Sequence, residues 1–163
     1  MVIREIQKPL KARYREDAAS AQVSLYAAAV SAASPMECSV NFGTASITVA
    51  AFEGVGGTGG TTTADIMLGA LAACAQITSQ MVATAMGLPV KAIRVEVDGT
   101  LDLRGTPGVP TGFDEIRLRI HVDAPEVTAQ QLNSFFKKAE MCSVVLQTLI
   151  DSPKITVELK RSK

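Results

Sequence analysis

The sequence predicts an α+β fold on three observations. The longest uncharged stretch, residues 66–90 between Asp65 and Lys91, predicts one long helix. Segments on both sides of this stretch alternate large apolar and polar side chains, which is typical of half-buried strands. A further segment that begins near Thr128 has apolar residues at helical spacing and predicts a second helix.

Length, charge and aromatic content limit the partners of the protein. The 163 residues suffice for a core without disulfides or metals, and we expect one domain over residues 1–163 with a surface extension at residues 1–22. Sixteen basic and sixteen acidic residues give zero net charge, and the chain has two Tyr, five Phe and no Trp. We therefore expect no nucleic-acid partner, because both a long-range positive field and a base-stacking platform are missing, and no membrane partner, because the same field would be needed to attract anionic lipid.

The N-terminus and the cysteines predict a cytoplasmic protein. The early basic residues are not followed by an apolar run, which argues against a secretory signal. Three widely spaced cysteines, Cys38, Cys74 and Cys142, do not resemble the disulfide framework of a secreted protein. Residues 66–90 are long enough to cross a membrane, but their polar side chains and many alanines favour a helix enclosed by the domain.

The first third of the chain predicts a surface helix, three strands and a glycine-rich loop. The helix is expected to start near Pro9, and an Ala-rich strand is expected at residues 23–29. Alternating segments at residues 38–42 and 46–52 flank a Gly-Thr turn and predict a hairpin. The glycine-rich residues 54–60 predict a flexible loop. The Lys of a phosphate-binding motif is absent from it, which argues against a phosphate-binding loop. We expect neither a cofactor nor a metal.

Local signals delimit the long helix. Thr62 and Asp65 have the spacing of a capping box, in which a hydroxyl and a carboxylate bond to free N–H groups. Gly87 and Pro89 predict its end. Small residues surround Cys74 on most faces of this helix, so other elements are expected to approach its backbone closely.

The remaining residues predict a strand pair, helical segments and a last strand. These are strands at residues 91–103 and 113–122, a helix from Thr128 with a capping box, a continued or restarted helix at residues 142–150, and a strand at residues 155–159. The only histidine, His121, shares the polar face of its strand with Arg117 and Arg119. We expect it to be exposed to solvent rather than catalytic.

The pattern around Cys74 allows two interpretations. Cysteine is often buried as a small apolar residue, and packing alone explains its place in an Ala-rich helix. A second cysteine, Cys142, begins another helical segment, and a glycine-rich segment leads to an acid, Asp65, nine residues before Cys74. These two features strengthen the case for chemistry, although the pattern alone still favours packing.

The residues around the two cysteines resemble those of the OsmC/Ohr family. Gly-Gly, a capped acid and IMLGALAACAQIT at residues 66–78 are similar to the first active-site helix of that family. AEMCSVVLQTLIDSPKITVEL at residues 139–159 is similar to its second cysteine helix and closing strand, and LDLRGTPGV at residues 101–109 to a subgroup of it. The resemblance covers residues 38–160 and implies an intertwined homodimer, in which antiparallel sheets wrap two central helices and active sites lie between subunits.

The resemblance also implies thiol-based reduction of organic hydroperoxides, as part of oxidative-stress defence. Cys74 matches the peroxidatic position, and Cys142 is the candidate resolving thiol that condenses with its sulfenic acid. The reductant implied is a dithiol, for example of the lipoyl type. Asp65 matches the family's acid, which either orients a basic partner or simply caps the helix.

Two features depart from the family pattern. Counted back from Ser-Pro at residues 152–153, the second cysteine is expected at Ser143, one position after Cys142. Residues 18–90 contain no Lys or Arg, so the activating Arg has no match, and Arg104 is the remaining candidate. The alternative hypothesis is a non-catalytic member of the family that holds an apolar ligand in the dimer cleft. A third hypothesis is that Cys38 pairs with another cysteine as a redox switch.

Overall fold

A computed structural model of the chain describes residues 3–161 and confirms the α+β class. Residues 1, 2, 162 and 163 of the predicted domain lie outside the described residues. The elements are α1 (Ile3–Glu16), β1 (Ala27–Ser31), β2 (Glu37–Phe42), β3 (Ala45–Ala50), α2 (Thr63–Met86), β4 (Ala92–Asp102), β5 (Gly112–Asp123), α3 (Ala129–Cys142) and α4 (Val144–Ile150). Strands β1–β3 form one antiparallel sheet, and β4 and β5 form another.

Helix α1 begins earlier than predicted. The predicted start near Pro9 is wrong, because the helix already runs from Ile3 and contains Pro9 within it. Pro9 has no N–H to offer the carbonyl of Glu5, and that helical hydrogen bond is lost. Glu5 is exposed, so water can solvate its carbonyl. In the first turn of α1, Arg4 donates a hydrogen bond to the carbonyl of Ala85 in the last turn of α2.

The first sheet confirms the predicted hairpin but shifts the preceding strand. Strands β2 and β3 pair around the turn at Gly43. The strand predicted at residues 23–29 is observed as β1, which starts only at Ala27. Ala27 pairs with Phe42, the last residue of β2, so residues 22–26 extend beyond the end of their neighbour. Backbone pairing, which the side-chain pattern does not reveal, therefore sets the start of β1.

Helix α2 has the predicted ends. The backbone N–H of Thr62 donates to Asp65 over 2.8 Å, and the N–H of Asp65 donates to the Thr62 hydroxyl over 3.3 Å, completing the capping box. Gly87 ends the helix in the left-handed region at φ 66°, a conformation that favours glycine. By length and composition α2 would also suffice to cross a membrane, a test that core helices of folded domains pass as well.

One face of α2 forms the core of the domain. The buried residues Leu71, Ala75, Ser79 and Ala83 follow one another at four-residue intervals. Phe135 and Ala139 of α3 pack against the end of this row at Ala83. The amide of Gln76 donates to the carbonyl of Ile93 over 2.9 Å and ties the helix to β4.

The C-terminal region contains one confirmed and one wrong prediction. The helix from Thr128 has its capping box, and the chain breaks at Ser143 before restarting as α4. The strand predicted at residues 155–159 is wrong for the described chain, where residues 152–161 form neither helix nor strand. Val157 and Leu159 are 90% and 100% exposed, since no strand of residues 3–161 pairs with this segment.

We predict that Ser79→Ala raises the free energy of unfolding by about 1 kcal/mol. Ser79 is 0% exposed, and its hydroxyl has no hydrogen-bond partner among the described residues. Alanine removes an unsatisfied polar group and is the better helix former. Urea denaturation measures the change, with Leu71→Ala as a control that should cost about 2–5 kcal/mol. A destabilised Ser79→Ala variant would contradict the prediction.

Candidate active site

Cys74 lies in the middle of α2 and contacts the junction between α3 and α4. The thiol is partly buried. The hydroxyl of Ser143 donates a hydrogen bond to Cys74 Sγ over 3.4 Å, across 69 positions of sequence. Ser143 itself is only 1% exposed. A nucleophilic side chain with partial access to solvent therefore faces a buried hydroxyl donor.

The packing of α3 on α2 places Ser143 at this position. Phe135 and Ala139 are buried on one face of α3, and Ser143 follows them at the same four-residue interval. Ser143 has an extended backbone (φ −80°, ψ 103°) and separates the two helices. Cys142 is one residue away, which on a helix corresponds to a rotation of about 100°. Cys142 is accordingly exposed, while Ser143 is buried.

Uncharged donors set the ionisation of Cys74. Partial burial raises the pKa of the thiol, because a low-dielectric environment disfavours the thiolate. Hydrogen bonds from the Ser143 hydroxyl, the N–H of Val145, the Thr78 hydroxyl and the N–H of Val144 lower it. The net result is a pKa below the ordinary value of a cysteine. Within residues 3–161, no Lys or Arg contributes to this lowering.

Asp65 acts as the cap of α2 in this structure. Its carboxylate accepts hydrogen bonds from the backbone N–H and the hydroxyl of Thr62, and these bonds lower the pKa of the carboxyl. Nine residues of helix separate it from Cys74, a rise of about 14 Å. Of the two interpretations of Asp65, the described contacts support the cap. An ion pair of Asp65 is not found in the part of the chain that the structure describes.

Arg104 and Cys142 are not brought to Cys74. The guanidinium of Arg104 binds Asp102, with 2.7 Å between Nε and Oδ2. This pairing raises the pKa of Arg104 and lowers that of Asp102. Within the single described chain, Arg104 therefore lies in an ion pair beyond β4, and Ser143, the position that the family pattern gives to the second cysteine, contacts Cys74 in place of Cys142.

Cys38 and His121, the other two residues considered from the sequence, lie in the sheets. Cys38 belongs to β2 and pairs with Val49 of β3. His121 is exposed, as predicted, and its Nε2 lies 3.0 Å from Glu96 on the polar face of the second sheet. Neither residue is among the groups that shift the pKa of Cys74.

Three donors at the site were not predicted from the sequence. Thr78 lies four residues after Cys74 on the same face of α2, a spacing that could have identified it. The N–H groups of Val144 and Val145 become donors because the chain leaves helical geometry at Ser143. Neither Gly nor Pro marks that break, so the sequence leaves open whether the helix continues or restarts at residues 142–150.

An apolar cavity of about 160 Å³ adjoins the site. Ala75 and Ser143, which flank the thiol contact, are part of its lining. The remaining lining is apolar, for example Leu118, Phe136 and Leu146, apart from the single carboxyl group of Glu140. Two larger clefts lie beside the first sheet and the glycine-rich loop, and neither is lined by Cys74 or Ser143. The smaller cavity thus reaches Ser143, the donor to Cys74, although Cys74 itself is not among its lining residues.

Solved structures share the fold of this chain. An OsmC-like protein from Mycoplasma pneumoniae superposes with a TM-score of 0.67 at 19% identity, covering 80% of this chain and 90% of the other. An organic hydroperoxide resistance protein, OsmC, from Legionella pneumophila gives 0.61 at 15% identity, covering 80% and 92%. The organic hydroperoxide resistance protein OhrB of Bacillus subtilis gives 0.51 at 16% identity, covering 77% and 90%.

Family membership rests on a sequence match. Comparison with curated proteins gave no match. The family model described as OsmC-like protein matches residues 56–158, which is more than half of the chain and includes both Cys74 and Ser143. The protein therefore belongs to the OsmC family.

Proposed function

We propose that the protein reduces organic hydroperoxides with Cys74 as the nucleophile. The observation that supports this most directly is the set of hydrogen-bond donors around Cys74 Sγ, which favour the thiolate. The thiolate sulfur attacks the terminal oxygen of the hydroperoxide, and the O–O bond breaks as the S–O bond forms. The alkoxide leaves with a proton as an alcohol, and Cys74 becomes a sulfenic acid.

The surroundings of Cys74 favour an organic substrate. The cavity beside Ser143 is mostly apolar, so it suits the hydrocarbon part of an organic hydroperoxide better than hydrogen peroxide. Relatives of the same fold are named organic hydroperoxide resistance proteins, which agrees with a role in stress defence. The expected reductant is a dithiol, for example a lipoyl group, and the expected location is the cytoplasm, where thiols are kept reduced.

A non-catalytic role is the second candidate function. The observation that favours it is the lack of a contributing cation at Cys74 within residues 3–161. A thiol with too little thiolate near neutral pH would react slowly. The cavity would then hold an apolar ligand without chemistry. Peroxide turnover separates these two functions.

A homodimer is the assembly that we propose. Apolar side chains that a folded protein normally covers are open to solvent in the single chain, among them Leu25 (92% exposed), Tyr26 (84%) and Val157 (90%). Residues 155–159 alternate apolar and polar side chains but lack a neighbouring strand in the described chain. A second copy would cover these surfaces and provide a partner for this segment.

We predict that the purified protein consumes cumene hydroperoxide in the presence of a dithiol. Cys74→Ser should abolish this turnover, because a serine hydroxyl stays protonated near neutral pH. Cys38→Ser is the matched control and should keep the wild-type rate. A coupled assay of hydroperoxide loss measures all three proteins. Absence of wild-type turnover, or full activity of Cys74→Ser, would sink the peroxidase proposal.

We predict that Ser143→Ala raises the pKa of Cys74. The substitution removes the largest of the interactions that lower this pKa, while the burial that raises it remains. The pH dependence of Cys74 alkylation gives the midpoint, measured in a background with Cys38→Ser and Cys142→Ser. The midpoint should lie below that of a free cysteine in this background and move upward with Ser143→Ala. Exposed Ser152→Ala is the control, and equal midpoints for all proteins would refute the assigned donor.

We predict that the protein sediments as a dimer at micromolar concentration. Apolar surface, not charge, is expected to hold the two copies, so the dimer should persist at high salt. Leu25→Asp combined with Val157→Asp should weaken association, since both substitutions place charges in the proposed interface. Analytical ultracentrifugation distinguishes the states. A wild-type monomer over the accessible concentration range would contradict the proposed assembly.

A further inference from the structure

We propose that the sulfenic acid of Cys74 is resolved by a thiol of an external reductant, so that the protein works with one redox-active cysteine. This inference rests on the proposed hydroperoxide reductase function. In the second half of the catalytic cycle, the oxygen atom must be removed from the sulfenic acid of Cys74.

The position that contacts Cys74 holds a hydroxyl group. Ser143 Oγ lies 3.4 Å from Cys74 Sγ and is buried on the same face as Phe135 and Ala139. A serine at this place donates a hydrogen bond but cannot form a disulfide. The packing of α3 on α2 therefore occupies the resolving position with a group that has no thiol chemistry.

The remaining cysteines of the chain lie elsewhere. Cys142 is exposed while its neighbour Ser143 is buried, so the two side chains leave the backbone in different directions. Disulfide formation requires Cβ atoms that point toward each other. Cys38 lies in β2 and lines a cleft with Thr63, which is in the first turn of α2, about 16 Å of helix rise before Cys74. Within the described chain neither side chain hydrogen-bonds Cys74, which points to an external thiol as the resolving group.

The steps balance with two thiol groups from the reductant. The first thiolate attacks the sulfur of Cys74, the S–O bond breaks, and the oxygen leaves as water. A mixed disulfide links Cys74 to the reductant. The second thiol attacks the reductant's sulfur in this disulfide and releases the Cys74 thiolate. The hydroperoxide has been reduced by two electrons, and the reductant has become a disulfide. A dithiol supplies both groups in one molecule.

The first experiment identifies the product of Cys74 oxidation. Reduced protein is treated with one equivalent of cumene hydroperoxide without reductant and then analysed by intact mass and peptide mapping. We expect the gain of one oxygen atom on Cys74, trapped by dimedone, and full dithiol-dependent turnover in Cys142→Ser. The inference is overturned if the protein instead loses two hydrogen atoms through a Cys74–Cys142 disulfide within or between copies, and Cys142→Ser loses turnover.

The second experiment changes the resolving position. Ser143→Cys, in a Cys142→Ser background, should form a disulfide between Cys74 and the introduced thiol after one equivalent of hydroperoxide. The sulfenic acid should then escape dimedone, because the new sulfur replaces an atom that already contacts Cys74 Sγ. If this variant keeps its fold by circular dichroism and still gains only oxygen, the assigned geometry is wrong. If no protein consumes the hydroperoxide, the proposed function fails, an outcome distinct from a Cys74–Cys142 disulfide.

Discussion

The structure depends on covering one face of α2, a 24-residue helix with a single charged side chain, Asp65. Its buried row of mostly small residues allows other elements to approach the helix backbone closely. Phe135 and Ala139 of α3 pack against one end of this row. The same packing fixes the end of α3 and brings Ser143 to Cys74. The contact that defines the candidate site is thus a consequence of how the core is covered.

The site favours a thiolate with dipoles instead of charges. A cation buried beside α2 would need its own partner, since isolated charges are costly away from water. Hydroxyl and backbone N–H groups avoid that cost and still bond to the charged form of Cys74. Together these hydrogen bonds lower the pKa of Cys74 by more than partial burial raises it. The pKa of Cys74 therefore depends on the geometry around Ser143, at the break between two helices.

Rules that act within a few residues of sequence predicted most of the fold. Such rules gave the capping boxes at Thr62 and Thr128 and the end of α2 at Gly87. They also gave the two strands that pair as β4 and β5. Strand limits near residues 23–29 and 155–159 did not follow, because a strand exists only where another strand pairs with it. The exposure of Cys142 depends on the break at Ser143, and neither Gly nor Pro marks that break.

We propose that local donors, and not exposure, make Cys74 the reactive thiol. Competition among the three cysteines for a small deficit of organic hydroperoxide tests it most directly. Peptide mapping after partial oxidation gives the fraction of each thiol that has gained oxygen. We predict that Cys74 is oxidised first, although Cys142 is more exposed. Oxidation of Cys142 or Cys38 before Cys74, or at the same rate, would contradict the claim.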